Sequence, residues 1–199
     1  MPGNLQEVAD IFTDGGTVMA ALLIVAFLLY TTATASLYFV VRGNLNSSQR
    51  SQWEGWIDTP ETAEGRIGEI IRYALHGKRV SIKRVQRRFD EVREILIRSI
   101  DRRLIIITTL IAAAPMTGLL GTVGGMLSMF DGLAAGGGKQ SMAMIASGMK
   151  EALFTTLTGL VIALPGMFMS LLVKERRNKI DSTLAQLQST IVTTKFRNV

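Results

Sequence analysis

Residues 104–130 read LIIITTLIAAAPMTGLLGTVGGMLSMF, a stretch of 27 residues without a charged side chain. A hydrocarbon core of about 30 Å requires roughly 20 helical residues to cross it. Two other uncharged runs, 15–41 and 152–173, are also long enough. The sequence therefore predicts an all-α membrane protein with three transmembrane helices.

The distribution of Lys and Arg predicts the orientation. Residues 1–14 carry none, 42–103 carry 14, 131–150 carry two and 174–199 carry six. The positive-inside rule places basic loops in the cytoplasm. The predicted order is a periplasmic N-terminus (1–14), transmembrane helix 1 (15–41), a cytoplasmic helical region (42–103), transmembrane helix 2 (104–130), a periplasmic hairpin (131–140), transmembrane helix 3 (141–173) and a cytoplasmic helical tail (174–199). We expect the first run to be retained rather than cleaved as a signal peptide, because no basic residue precedes it.

Composition excludes several classes of protein. The 199 residues are 48% hydrophobic and only 19% charged, which argues against intrinsic disorder and against a simple soluble globule. There is no Cys and a single His, so a disulfide scaffold, a zinc–thiolate site and a cysteine nucleophile are excluded. We predict no catalytic residue, no metal site and no cofactor, and the chain is not expected to be an enzyme.

The cytoplasmic region predicts two helices. One is expected to start at Pro60, with Asp58 as its cap, and to end near Leu75. The other begins near Ser81 and continues without a break into the second span. Its apolar stripe comprises Ile82, Val85, Phe89, Val92, Leu96 and Ile100. Its basic face comprises Lys83, Arg84, Arg87, Arg88 and Arg98. This face fits nucleic-acid or anionic-lipid binding, but a solvated, membrane-proximal helix explains it better, so we predict membrane lipids and no nucleic acid as partners.

The third span has two contrasting faces. Small or hydroxyl side chains recur at spacings of three and four, at Gly148, Ala152, Thr156, Gly159, Ala163, Gly166 and Ser170. Large apolar side chains form a second stripe, at Leu153, Leu157, Leu160, Leu164, Met167 and Leu171. Small residues allow close approach of helices, so the small stripe is expected to face protein or a narrow lumen. A tightly packed bundle and a channel wall with inward hydroxyls, at Thr122 and Thr156, both fit this pattern.

Glu151 is a carboxylate beside the third span. It is either a functional acid at membrane depth or one half of a pair with Lys150 near the outer interface. No uncharged run contains a mid-membrane carboxylate, so proton conduction would require a titrating group from a partner.

Two segments resemble the ExbB/TolQ/MotA proton-channel family. Residues 114–126, APMTGLLGTVGGM, resemble its second-helix motif, and 148–165 resemble its third-helix motif. Three spans make the chain more similar to ExbB and TolQ than to MotA. The resemblance implies a bacterial inner-membrane motor, a homopentamer around a central pore, with long second and third helices extending into the cytoplasm. It also implies an ExbD/TolR-like single-span partner that carries a transmembrane Asp, and a TonB/TolA-like force transmitter.

The resemblance also implies roles for individual residues. The proton pathway would include Thr122, Thr156 and Glu151. Helix packing and shaping would fall to Pro115, Gly118, Gly121, Gly125, Gly159 and Pro165. Lys150 departs from the small residue that usually precedes the acid. Two other functions stay open at this point: a structural helix-bundle scaffold without ion flow, and a membrane-tethered sensor that uses the basic patch at 83–88.

Overall fold

In the computed structural model, all regular elements among the described residues are helices. They are α1 (Gly16–Arg42), a short 3-10 helix (Pro60–Thr62), α2 (Gly65–Leu75), α3 (Ile82–Ala134) and α4 (Lys139–Phe196). The structure describes residues 16–42, 53, 55–57, 59–63, 65–76, 81–134, 136 and 138–196. Three of these helices, α1, α3 and α4, are long and apolar enough to cross a membrane. The prediction of an all-α protein with three such helices is confirmed.

The second long helix, α3, continues without interruption from basic sequence into apolar sequence. α3 includes both the amphipathic segment that begins at Ile82 and the uncharged run 104–130. Pro115 lies inside it without ending it, because a proline removes one backbone hydrogen bond but neighbouring helices can stabilise the helix around it. The predicted unbroken continuation from the amphipathic helix into the second span is therefore confirmed.

The start of the shorter helix differs from the prediction. Pro60 begins a 3-10 turn rather than an α-helix, and Ala63 after it is extended, with φ −72° and ψ 122°. α2 starts only at Gly65, whose φ of +72° suits glycine. A side chain from α2 explains the difference. The Arg72 guanidinium donates a hydrogen bond to the Ala63 carbonyl at 2.9 Å and so stabilises the extended backbone at Ala63. The proposed cap, Asp58, lies outside the described residues.

The chain divides into two compact units. Unit 1 comprises Met1–Thr34 and Ile105–Ser170, and unit 2 comprises Ala35–Leu104 and Leu171–Val199. The core of unit 1 is formed by α1, α3 and α4, with Met19, Leu22, Leu29, Ala33, Ile107, Ile111, Ala114, Ile162 and Ala163 buried. Many large apolar side chains of unit 1 stay exposed, as expected of a surface that meets lipid or other subunits.

The core of unit 2 is richer in large side chains. It buries Trp53, Ile57 and Phe89, together with one face of α2 (Ile67, Ile70, Ile71 and Ala74) and one face of the end of α4 (Ile180, Leu184, Leu187 and Ile191). The predicted α3 stripe is confirmed at Val85, Phe89 and Ile100, with Val92 and Leu96 partly buried. Ile82 is the exception: it is the first residue of α3 and is exposed.

Candidate functional site

The contact between α3 and α4 in unit 1 is built on glycine. A methyl group placed on Gly118 would lie 2.8 Å from the carbonyl oxygen of Thr155. One placed on Gly159 would lie 2.7 Å from the carbonyl oxygen of Ala114. Real Cβ atoms do not approach so closely, so the two backbones are nearer than any other residue would permit. A methyl group placed on Gly125 would likewise lie 2.9 Å from the side chain of Ala152. The helices thus meet through their backbones, as small residues allow in a membrane.

The two faces of α4 separate as predicted. The small-residue stripe is buried or half-buried along its length, whereas the large apolar stripe is exposed, with Leu153 exposed to 70%. The glycines of the small stripe meet protein, which is one of the two expected surroundings. Gly148, Gly159 and Gly166 pack against α3 and α1 of the same chain, whereas Thr156 on the same stripe stays half-buried. The large apolar stripe is the exposed face of α4.

Thr156 lies at this contact. Its half-buried Oγ1 lies 3.2 Å from the carbonyl oxygen of Ala152 on its own helix and 3.4 Å from that of Gly118 on α3. A hydroxyl has one proton to donate and can also accept. The Thr156 hydroxyl can therefore donate to a carbonyl on either helix, while its oxygen can still accept a hydrogen bond from a further group.

Thr155 is a residue that the sequence reasoning missed. It is completely buried, donates to the Glu151 carbonyl at 2.9 Å and packs against Gly121. The spacing contained a usable signal, because Ala152, Thr155 and Gly159 also follow one another at three and four. A stripe through Thr155 therefore fits the helix contact no worse than the predicted stripe through Thr156.

Thr122 does not join these two threonines. Its Oγ1 donates to the Leu119 carbonyl of its own helix at 2.7 Å. The preceding residue, Gly121, is the one that faces Thr155, and successive helical residues point about 100° apart. Thr122 is half-buried on a neighbouring face of α3.

Glu151, a residue of α4, lies beside the N-terminus of α1. Its half-buried carboxylate approaches Gly16, the first residue of that helix, so closely that a side chain there would clash with it. The partial positive charge of a helix N-terminus stabilises a nearby carboxylate. The ammonium of Lys150 lies 5.8 Å from the centroid of the Phe154 ring. Glu151 is thus one turn before Thr155 on α4, and it is held against α1.

The two prolines occupy different environments. Pro115 is half-buried beside Gly159, whereas Pro165 is exposed on α4. Near Pro165, the hydroxyl of Tyr30 on α1 donates to the carbonyl of Ile162 at 3.1 Å. The sequence reasoning did not find Tyr30. Among the described residues, no group of three His, Asp or Glu side chains comes together as a metal site would require.

Comparison with known proteins identifies the family. Residues 63–186 match the MotA/TolQ/ExbB proton channel family, a range that contains the α3–α4 contact of unit 1. The chain belongs to this family. The resemblance drawn from 114–126 and 148–165 is therefore confirmed, and the chain is a multi-pass inner-membrane protein of a family of proton channels, which is not an enzyme class.

Two curated relatives of this proton-channel family carry related names. The chain is 32% identical over 171 residues to "Putative biopolymer transport protein ExbB-like 1" of Synechocystis sp., covering 78% of this chain and 66% of that protein. It is 36% identical over 86 residues to "Biopolymer transport protein exbB1" of Vibrio cholerae, covering 43% of this chain and 36% of that protein. The chain therefore spans less than two thirds of each relative's length.

The family match extends into unit 2, where α3 and α4 are joined by ion pairs. The Arg177 guanidinium contacts both carboxylate oxygens of Asp101 at 2.9 and 3.0 Å. The Arg93 guanidinium contacts those of Asp181 at 2.5 and 2.9 Å. Hydrogen bonds from Arg93 lower the pKa of Asp181. Both pairs are forked, which is the stronger geometry for this interaction.

The predicted basic patch at 83–88 has a structural use at one position. Arg88 donates to the carbonyls of Tyr73 and His76 at 2.7 and 2.6 Å, at the end of α2. A cation at a helix C-terminus satisfies carbonyls that have no helical partner. Arg88 therefore anchors α2 to α3, which weakens the case for this patch as a nucleic-acid sensor.

Proposed function

We propose that this chain is the channel-forming subunit of an inner-membrane complex that uses the proton motive force to energise outer-membrane transport or another envelope process. Its membership of a proton-channel family supports this proposal, as do the biopolymer-transport names of its relatives. One proton that crosses about 100 mV of potential releases roughly 2.3 kcal/mol.

An ExbD/TolR-like single-span partner supplies the titrating group. The uncharged runs 104–130 and 152–173 contain no carboxylate of their own, and Glu151 lies just outside the second of them. The proton passes between the partner's transmembrane Asp and the hydroxyls of Thr122 and Thr156. The partner then moves, and a TonB/TolA-like protein transmits the force.

Five copies of the chain surround the pore, with the N-terminus periplasmic and the C-terminus cytoplasmic. The charge asymmetry of the loops supports this orientation. The cytoplasmic ends of α3 and α4 correspond to unit 2. The glycines of the small stripe contact helices of the same chain, and the exposed large stripe, which includes Leu153 and Leu157, provides the contacts to lipid and to neighbouring copies.

The observation that carries the proposal is the Thr156 hydroxyl. It lies half-buried between two helices, with acceptors on both, in a chain whose family conducts protons. Proton transfer along hydroxyls requires the hydroxyl itself, whereas packing requires only its volume.

The test is proton flux in proteoliposomes. The tagged full-length chain is purified from its native membrane with the single-span protein that accompanies it, and flux is followed with an enclosed pH-sensitive dye under a potassium-diffusion potential. Thr156→Val, which keeps the volume, should lower flux at least about tenfold, because a positioned proton-transfer group typically contributes about 10²–10⁴-fold. Thr156→Ser should retain most of it.

Thr158→Val is the matched control. Thr158 is half-buried on the same helix, two residues further along, and its substitution should leave flux near that of the wild type. Native mass must show that every variant assembles normally. Undiminished flux in Thr156→Val would overturn the assignment of Thr156.

A structural scaffold without ion flow is the second candidate, because the small-residue stripe packs within the chain as an ordinary bundle would. A scaffold predicts no flux above that of empty vesicles in the wild type. It also predicts that Thr156→Val assembles and functions normally in the cell.

A further inference from the structure

Two arginines of unit 2 share one aromatic ring. The guanidinium carbon of Arg103 on α3 lies 4.9 Å from the centroid of Phe39 on α1, and that of Arg66 on α2 lies 5.8 Å from it. Together with Ala35 and Tyr38, these three residues line a cavity of about 390 Å³. Two positive charges from separate helices therefore converge on one open space.

The described residues supply no acid to neutralise this pair. The ion pairs of the described part of the chain engage Arg87, Arg93, Arg98 and Arg177, and leave Arg66 and Arg103 without a carboxylate. The ring face offsets part of the repulsion between the two cations. An anion that reaches both would offset the rest. Guanidinium groups match the oxygens of a phosphate in two-point contacts.

The position of the cavity indicates the kind of anion. Phe39 lies two residues before the end of the uncharged run 15–41, and Arg103 immediately precedes the run 104–130. Both therefore lie where a transmembrane helix leaves the hydrocarbon. Tyr38, exposed to 62%, has the amphipathic ring that is favoured at the headgroup level. The phosphate-bearing groups found at this depth of a bilayer are the headgroups of phospholipids.

We propose that Arg66 and Arg103, both packed against the ring of Phe39, bind the phosphodiester headgroup of an anionic phospholipid in the cytoplasmic leaflet. The bound lipid joins α2 to α1 and α3 through its phosphate. The proposal depends on the proposed membrane orientation and not on proton conduction.

The test counts lipids retained by the complex. The full-length complex is equilibrated with mixed micelles of phosphatidylglycerol and phosphatidylcholine, and bound lipid is measured by native mass spectrometry. The double variant Arg66→Gln/Arg103→Gln should bind phosphatidylglycerol on the order of tenfold more weakly, as expected for loss of charge-assisted hydrogen bonds. Its retention of phosphatidylcholine should not change.

A second double variant, Arg102→Gln/Arg176→Gln, is the matched control. It removes the same charge from two exposed arginines that also flank uncharged runs, and it should bind phosphatidylglycerol within about twofold of the wild type. Equal loss in both double variants would overturn the site in favour of general surface charge, and no loss in the first would overturn it outright.

Two further measurements keep the test decisive. Phe39→Leu removes the aromatic platform without changing charge, and it should weaken retention by an intermediate factor even if the double variant fails to fold. Inorganic phosphate in large excess should not displace the lipid. Displacement by phosphate would overturn the lipid assignment and indicate a free-anion site.

Discussion

In unit 1, α3 and α4 meet through glycines and threonines, whereas in unit 2 the same two helices meet through large apolar side chains and forked ion pairs. The backbones at Gly118 and Gly159 approach too closely for any side chain. In unit 2, Phe89 and Leu187 fill the core, and Arg177 and Arg93 contact acids on the facing helix. One pair of helices thus changes its mode of packing along its length.

We attribute the difference to the solvent, since the proposed topology places unit 1 in the bilayer and unit 2 in the cytoplasm. In lipid, burial of a large apolar side chain gains little, because acyl chains are as apolar as leucine, so association depends on close contact and hydrogen bonds. In water, burial of apolar area drives association. We therefore expect a larger side chain at a helix contact to destabilise unit 1, and truncation of a core side chain to destabilise unit 2.

The largest expected effect is the loss of a core side chain in unit 2. Phe89→Ala should lower the free energy of unfolding of that unit by about 3–5 kcal/mol, because Phe89 is almost completely buried. Ile82→Ala, at the exposed start of α3, is the control and should have a much smaller effect. The thermal midpoint, followed by fluorescence of the buried Trp53, measures both. Equal midpoints would contradict the core described for unit 2.

The opposite change should damage unit 1. Gly118→Val forces a side chain against the Thr155 backbone, and overpacking of this kind costs about 1–3 kcal/mol. Gly124→Val is the matched control, since a methyl group at Gly124 would meet nothing within 4 Å. Hydrogen exchange across 148–166 should accelerate in the first variant only. Acceleration in both would mean that helix propensity, rather than contact, explains the result.

The ion pairs should have the smallest effect. Arg93 is about half exposed, so Asp181→Asn should cost about 1 kcal/mol or less at neutral pH. The pKa of Asp181 is lowered in the folded state by its hydrogen bonds with Arg93. The contribution is therefore present above the ordinary carboxyl pKa and is lost as the pH falls through the lowered one.

The thermal midpoints of wild type and Asp181→Asn should differ at neutral pH, begin to converge below about pH 4, the ordinary pKa of Asp, and become equal only below the lowered pKa of Asp181. Glu94→Gln breaks an exposed pair with Arg98 and should change little at either pH. A difference that persists unchanged in acid would show that Asp181 acts through packing instead.

Much of the fold could be predicted because solvent selects the composition of each segment. The three uncharged runs identify three long helices, and the stripes through Val85 and Leu184 identify the face that becomes buried. The break at Ala63 could not be predicted, since it depends on a hydrogen bond from Arg72, nine residues away. The approach of Glu151 to Gly16 depends on contact between helices far apart in sequence.

The site was only partly predictable for a related reason. Spacings of three and four select a face of α4 to within about one residue, so Thr155 and Thr156 fit equally well. The pattern of small residues is also the same whether they meet a helix of the same chain or another copy. Only the fold assigns the glycines to contacts within the chain.

The most direct test of the central claim is the proton flux of the wild-type complex with its single-span partner, reconstituted in vesicles under an imposed potential. We predict a flux well above that of empty vesicles, which is unchanged when sodium is replaced by choline and strongly reduced by Thr156→Val. A complex that assembles with its partner but passes no more protons than empty vesicles would contradict the account.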